Sequence, residues 1–217
     1  MIFSKYSVLL VFVLLSCRGT IFAQLNSHLQ QQLKEMAAIE QVAAYIPQRK
    51  YKDYTRQQWE KFKDSIFTAN KVAAEEILNI HGFLGFDKVG KEGAKDFWSI
   101  IQHCDKYPDF QKKVLAKMNV SVKAGNADPA SYAYLYDRIK LNAGKKQLFG
   151  THVTDIKTTG MAIPKVGLSD SLKVDQLRRE YGLPPLKDYL NQMTESHFNM
   201  NREHFEKMGF TKPNLYL

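Results

Sequence analysis

Residues 55–82 read TRQQWEKFKDSIFTANKVAAEEILNIHG, and their pattern predicts one long helix. Thr55 and Gln58 have the spacing of a capping box, and Gly82 is suited to a helix end. The apolar residues between them recur mostly at three- and four-residue spacing, which places them on one helical face. That face is predicted to consist of Trp59, Phe62, Ile66, Val72, Ala73, Ile77 and Ile80.

A second amphipathic helix is predicted before this stretch. Apolar residues from Leu25 to Val42 recur at helical spacing, and Pro47 ends the run. The two helices form an N-terminal pair over residues 24–81, which we expect to pack on the rest of the chain.

The remaining residues, 82–217, are predicted to form a helical core domain. A glycine-rich connector over residues 82–93 leads into it. Residues 146–164 have the β-friendly composition of a small hairpin or an extended segment, with Gly160 as a turn. The sequence therefore predicts a mainly α fold, a compact bundle of short helices with this one β element. The helices of the core domain are expected at residues 94–106, 108–122, 129–143, 169–181 and 185–208.

Residues 1–23 have the features of a signal peptide. Lys5 supplies a short positive region, an apolar run follows over residues 7–16, and Ala23 ends a small-residue cleavage site. The run is too short to cross a bilayer, so no transmembrane segment is expected after signal removal. The protein is therefore predicted to be exported, either periplasmic or secreted. A lipid anchor on Cys17 and an uncleaved membrane anchor are the alternatives.

Composition and charge exclude several classes of protein. The chain has 217 residues, 44% of them hydrophobic, and two cysteines, which excludes a disordered, collagen-like or disulfide-stapled chain. Its formal net charge is +9, but the lysines are spread between acidic residues without a block of like charge. We therefore expect a solvated basic surface and no nucleic-acid partner. Signal removal would leave Cys104 alone, so no internal disulfide is expected.

Two motif matches are rejected on their chemistry. Residues 85–92 match a phosphate-binding P-loop at every position except the last, where Glu92 replaces the hydroxyl that would bind Mg²⁺. Asp96, Ser99 and His103 share the polar face of a predicted helix and have the composition of a hydrolytic triad. No Gly-x-Ser-x-Gly elbow accompanies them, so a serine hydrolase is not predicted. As the polar face of the helix, this stripe is predicted to border solvent or a cleft.

No metal site is predicted. His197 and His204 are about 10.5 Å apart along a helix, whereas a shared ion needs histidines four residues apart. A site assembled from distant segments, such as His103 with His152, is the alternative. The sequence does not identify a cofactor.

Four short motifs stand out in the core domain. They are Gln102-His103-x-Asp105, Tyr134-Leu135-x-Asp137-Arg138, Gly144-Lys145-Lys146-Gln147-x-Phe149-Gly150-Thr151 and Tyr181-Gly182-Leu183-Pro184-Pro185-Leu186. In order and spacing they resemble an uncharacterised bacterial domain family of unknown function, over about residues 77–190. The resemblance implies positions for a site but no reaction. Two departures are His152, where the family usually has glutamine, and Gly82-Phe83-Leu84, which replaces Gly-Trp-Pro.

The motif residues supply the candidate site. His103 is the natural general acid or base, because an imidazole exchanges protons near neutral pH. Asp137 is predicted to orient it, and Arg138 is predicted to hold an anionic group through two hydrogen bonds. Hydrogen bonds to a small polar or anionic ligand are expected from Gln102, Gln147, Thr151 and His152.

The same residues have a structural interpretation. Asp137 and Arg138 would form an internal ion pair, with Gln147 and Thr151 satisfying buried backbone groups. Three classes therefore stay open: an exported hydrolase or transferase, a binding module, and a structural or protein-interaction domain with an apolar patch from residues 25–42. We favour a polar pocket centred on His103, Asp137, Arg138 and Gln147.

Overall fold

A computed structural model of the protein describes residues 25–45, 47 and 49–217. The predicted signal peptide and the alternative anchor at Cys17 lie outside these residues. The described part confirms a mainly α fold with a small β-hairpin. Its helices are α1 Ser27–Ala44, α2 Arg56–His81, α3 Phe86–Gln102, α4 Pro108–Lys123, α5 Pro129–Asn142, α6 Val174–Glu180, α7 Leu186–Met200 and α8 Arg202–Lys207, with a 3-10 turn at Arg49–Tyr51.

The hairpin lies inside the predicted β segment. Strands β1 (Val153–Asp155) and β2 (Ala162–Pro164) pair antiparallel, with Thr154 opposite Ile163. Gly160 follows the turn with a φ of 70°, in the left-handed region that favours glycine. A Cβ at this position would lie 2.9 Å from the ring of Phe205, so the absence of a side chain also lets α8 approach.

Helix α2 begins and ends where the sequence predicts. The backbone N–H of Gln58 donates to Thr55 Oγ1 at 3.3 Å, and the Thr55 N–H donates to Gln58 Oε1 at 2.8 Å. Part of the predicted apolar face is wrong, because Val72 and Ile80 are 58% and 67% exposed. Helices α1 and α3 pack on α2, and they cover a narrower face of it than the spacing of its apolar residues predicted. The buried residues of α2 are Trp59, Asn70, Ala74, Ile77 and Leu78.

Helix α3 begins inside the predicted connector, so the prediction of a connector over residues 82–93 is wrong from Phe86 onward. Gly90, with a φ of 69°, bends the helix instead of ending it. Gln30 Nε2 on α1 donates to the Val89 carbonyl at 2.9 Å, which satisfies an acceptor at the bend. The rejected P-loop match therefore lies in a bent helix.

The last two predicted helices are shorter than expected. Helix α6 occupies only Val174–Glu180, and the helix predicted over residues 185–208 is divided into α7 and α8 at Asn201. The backbone N–H and the side-chain amide of Asn201 both donate to the His197 carbonyl at 3.0 Å. Asparagine competes for local backbone groups in this way, which favours a helix end.

The helices bury one large core and two smaller clusters. Helices α1, α2, α4 and α5 pack around α3, where Leu33, Phe97 and Ile101 are almost completely buried. The smaller clusters contain Phe149 and Tyr189 and join the hairpin region to α5, α6 and α7. The division of the chain near residue 82 into two units stays a prediction. Among the described helices, none combines the length and apolar character needed to cross a membrane.

Candidate functional site

A cleft of about 610 Å³ lies between α2 and the turn that follows α3. This volume is in the range typical of small-molecule sites. Two of the predicted site residues, His103 and Arg138, line it. Their neighbours in the cleft include Lys63, Asp64, Phe67, Asp105, Lys106 and Tyr107.

The carboxylate that contacts His103 belongs to Glu40 on α1. Glu40 is fully buried, and its Oε1 is in close contact with Nδ1 of His103. Its Oε2 accepts hydrogen bonds from Ser99 Oγ at 2.9 Å and from Gln41 Nε2 at 2.8 Å. The imidazole, 25% exposed, stacks on Phe67 with ring centroids 5.5 Å apart. Phe67 therefore covers one face of the ring and Glu40 contacts its Nδ1 edge, and the rest of the ring borders the cleft.

Arg138 is held at the cleft by Asp105. Its Nε donates to Oδ1 at 2.9 Å, and its Nη2 donates to Oδ2 at 2.6 Å. Asn142 and Gln111 donate to Oδ1 of the same carboxylate at 2.7 and 3.3 Å. Burial alone would raise the pKa of Asp105, but the hydrogen bonds and the charge of Arg138 outweigh it and lower this pKa. Asp105 is therefore an anion that orients the guanidinium.

Gln111 fixes the turn between His103 and Asp105. It is fully buried on α4, and its Nε2 also donates to the carbonyls of Ile101 and Gln102 at 3.1 and 3.2 Å. These bonds attach the end of α3 to α4 through one amide group. The positions of the imidazole and the carboxylate relative to each other are therefore set by buried groups.

Two residues next to His103 face the core. Gln102, a predicted ligand contact, is buried and does not line the cleft. Cys104 is also buried, and its Sγ donates to the Ile100 carbonyl at 3.4 Å. Burial raises the pKa of Cys104 to about 12, so the thiol stays protonated at neutral pH.

Asp137 organises a loop and does not line the cleft. Its fully buried carboxylate accepts hydrogen bonds from the backbone N–H groups of Leu148, Phe149 and Thr151 at 2.8, 3.2 and 3.0 Å. Thr151 Oγ1 donates to it as well, at 3.0 Å. The expected ion pair with Arg138 does not form, because consecutive residues on a helix point about 100° apart. Asp137 therefore serves the loop over residues 148–151.

Three other predicted ligand contacts are engaged by the same loop. Gln147 is fully buried; its Nε2 donates to the carbonyls of His152 and Lys165, each at 2.7 Å, and its Oε1 accepts from the His152 N–H at 2.8 Å. Thr151 Oγ1 lies 3.0 Å from Nδ1 of His152. Burial, with a smaller contribution from Arg138, lowers the pKa of His152 to about 4. The His152 imidazole is therefore neutral at neutral pH.

A family model matches residues 27–201, from the first residue of α1 to just beyond α7. The chain belongs to this family of unknown function, DUF6624. The match is wider than the resemblance over residues 77–190, because it also includes α1 and the part of α2 before residue 77. No curated protein and no solved structure matches the chain. The assignment to DUF6624 therefore names a family but brings no reaction with it.

The site of this DUF6624 chain differs from the predicted one in its members. The cleft brings His103 and Arg138 together, and it leaves out Asp137, Gln147 and Thr151. The roles of Glu40, Phe67, Asp105 and Gln111 were not predicted from the sequence. A signal for Glu40 was present, because it continues the helical spacing of the buried residues Leu33 and Ala37 on α1.

Histidine and carboxylate side chains meet in pairs in the described part of this DUF6624 chain. Across residues 25–45, 47 and 49–217, no three His, Cys, Asp or Glu side chains cluster closely enough to hold a metal ion. A second histidine–carboxylate pair, His197 Nδ1 with Asp155 Oδ1 at 2.6 Å, joins α7 to the hairpin. Neither of its residues lines the cleft.

Proposed function

We propose that the cleft is an active site for acid–base chemistry, with His103 as the group that transfers the proton. The observation that carries this proposal is the contact between Nδ1 of His103 and the fully buried carboxylate of Glu40. A carboxylate at Nδ1 favours the tautomer with the proton on that atom, which leaves Nε2 to accept a proton from a substrate. His103 is then the catalytic residue, and Glu40 is a positioning residue.

The reaction class that suits this arrangement is hydrolysis or group transfer. Ser99 does not line the cleft, so its hydroxyl is not placed to act as the nucleophile there. In the proposed reaction, a water molecule or a substrate hydroxyl attacks. His103 takes the proton of that O–H group as the new bond forms and returns it to the leaving group as the old bond breaks.

A structural domain is the second candidate function. It is favoured by the networks around Asp137 and Gln147, whose hydrogen-bond partners are groups of the protein itself. The two candidates differ at His103. In a structural domain, the Glu40–His103 contact only attaches α1 to the end of α3, and His103 exchanges no proton with a bound molecule.

NMR spectroscopy of the full chain tests the acid–base proposal without a known substrate. In the neutral form of the ring, the ¹⁵N shifts of His103 should report a proton on Nδ1 and a free Nε2. A neutral ring with its proton on Nε2 would contradict the proposal. The control is His81, an exposed residue at the end of α2.

Activity measurements form the second test. Chromogenic carboxylic esters and phosphate esters supply a panel for the full chain and its variants. His103→Gln should lower the rate on any accepted ester by about 100-fold or more, and Glu40→Gln should lower it less, since it removes the positioning charge. His81→Gln should leave the rate unchanged. A His103→Gln protein that is folded by circular dichroism and fully active would refute the proposal.

We also propose that the protein is exported, on the basis of the signal features of residues 1–23. Mass spectrometry of protein from its native host should give an N-terminus at Gln24. An acylated N-terminal Cys17 would identify the lipoprotein alternative. A chain that retains Met1 would contradict cleavage.

A further inference from the structure

We propose that the cleft binds an oxyanion group of its substrate, a carboxylate or a phosphate, through the Nη1–Nη2 end of Arg138. The proposal rests on the proposed function, because it names the class of molecule that would be held beside His103.

Asp105 occupies only one side of Arg138. The two hydrogen bonds come from Nε and Nη2, which is the side-on arrangement of an arginine–carboxylate pair. The end of the guanidinium formed by Nη1 and Nη2 keeps N–H groups outside this pair. Within the described residues, no group accepts a hydrogen bond from Nη1. Since Arg138 lines the cleft and its side chain is 23% exposed, this end is accessible to a ligand.

Asp105 holds the arginine in place rather than competing for its free end. Its carboxylate also accepts from Asn142 Nδ2 and Gln111 Nε2, so four hydrogen bonds fix its orientation. Gln111 is fully buried and attached to the end of α3. A preorganised guanidinium loses little freedom on binding, which favours recognition of a planar or tetrahedral oxyanion by two parallel N–H groups.

The other charges of the cleft are largely paired. Nζ of Lys63 lies 3.1 Å from Oε1 of Glu60, and Lys106 forms an ion pair with Asp64. Selectivity for an anion would therefore come from the geometry of Arg138 more than from net charge.

The consequence for chemistry is a defined substrate position. An oxyanion bound end-on by Arg138 would place the rest of the molecule in the cleft that His103 lines. Because His103 and Asp105 belong to one fixed turn, the distance between the proton-transfer group and the anchor is set by the fold. Neutral analogues of the substrate are expected to bind poorly.

The experiment measures binding of inorganic phosphate and of acetate to the full chain by NMR titration, with acetamide as the neutral probe. Wild type should bind at least one of the two anions in the cleft and should not bind acetamide. Arg138→Gln and Arg138→Lys should each weaken anion binding about tenfold or more, since lysine keeps the charge but lacks the paired N–H groups. Arg179→Gln removes an exposed arginine outside the cleft and should bind like wild type.

Each outcome decides the proposal. Equal anion binding by wild type and both Arg138 variants, or no binding by wild type at tens of millimolar anion, would overturn it. Binding of phosphate alone or of acetate alone supports it and selects the substrate class. If Arg138→Gln is unfolded, modification of wild-type Arg138 by phenylglyoxal replaces it, and protection by the bound anion is required.

The test also separates this inference from the proposed function. His103→Gln and Glu40→Gln are expected to retain anion binding, because neither residue contacts Arg138 or Asp105 by a hydrogen bond. Anion binding at Arg138 in a protein whose His103 ring carries its proton on Nε2 would support the anion site and contradict acid–base catalysis. The reverse result would contradict the anion site alone.

Discussion

The loop around Asp137 and the cleft around Arg138 each depend on one of two adjacent charged residues of α5, but the two residues are used in opposite ways. In the loop, the Asp137 carboxylate is fully buried and accepts from Leu148, Phe149 and Thr151. At the cleft, Nε and Nη2 of Arg138 donate to Asp105, and Nη1 donates to no group of the described residues. Adjacent residues of one helix therefore serve the fold and the candidate site separately, because a helix turns by about 100° per residue.

A comparison of two arginines gives the same result. Arg178 is 1% exposed, donates to the carbonyls of Phe149 and Pro184 at 2.7 Å each, and lies 4.8 Å above the ring of Tyr189. Its hydrogen bonds stabilise the chain around it. Arg138 differs because its partner is a single carboxylate at the edge of a cleft. The two arginines therefore differ in burial and in hydrogen-bond partner, and both properties must be known to assign a role to an arginine.

The largest expected effect tests the loop. Asp137→Ala leaves buried N–H groups of Leu148, Phe149 and Thr151 without an acceptor, at about 1–3 kcal/mol each. We expect the free energy of unfolding, measured in urea, to fall by about 3–5 kcal/mol. Asp53→Ala, at an exposed aspartate, should change it by less than about 0.5 kcal/mol. A loss below about 1 kcal/mol for Asp137→Ala would contradict the role of Asp137 in stabilising the loop.

The second effect is a pH dependence that comes from His152. Its pKa is about 4 in the fold against about 6.5 in an unfolded chain, so the unfolded state binds more protons between these values. Stability should rise with pH across this window, and up to about 3 kcal/mol should be lost as the pH falls through it. His152→Gln should remove this slope in urea denaturation at several pH values. The exposed His28→Gln should keep it, and equal slopes in both variants would contradict a buried, neutral His152.

A smaller effect on stability is expected at the cleft. Arg138→Gln breaks a partly exposed ion pair, but Asn142 and Gln111 still donate to Asp105. The free energy of unfolding should therefore fall by about 1 kcal/mol or less. Thermal denaturation beside Asp137→Ala gives the direct contrast between neighbouring residues. Similar losses for the two variants would mean that Arg138 serves the fold as much as Asp137 does.

The smallest effect is expected on the outer face of α2. Ile80 is 67% exposed, so Ile80→Ala should change the free energy of unfolding by about 0.5 kcal/mol or less. Ile77, three residues earlier, is 5% exposed, and Ile77→Ala should cost about 2–4 kcal/mol. These two variants test whether the side of the helix on which a residue lies decides its contribution to stability. A large loss for Ile80→Ala would indicate a partner surface over this face.

Much of the fold was predictable because its signals are local. The capping box of Thr55 and Gln58 and the prolines at the first positions of α4 and α5 act within one turn of chain. The start of α3 was not predictable in this way. Gly90 is a helix breaker in isolation, but Gln30 from α1 satisfies the carbonyl at the bend. Such compensation depends on a contact between residues far apart in the chain.

The candidate site was predictable only in part. His103 and Arg138 were named from their chemistry, and both line the cleft. Asp137 was expected to orient His103, because both residues belong to the motifs that supplied the candidate site. Glu40 holds that position instead, and only the spacing of α1 indicated that it is buried.

Local sequence signals predicted most of the helices, the β segment and the residue types able to transfer a proton or bind an anion. These properties depend on spacing, caps and side-chain chemistry, which act over a few residues. The tertiary structure alone decided the partners, Glu40 for His103 and Asp105 for Arg138. The reason is physical: a carboxylate acts on the group that packing brings within hydrogen-bond distance, and packing joins residues from different helices.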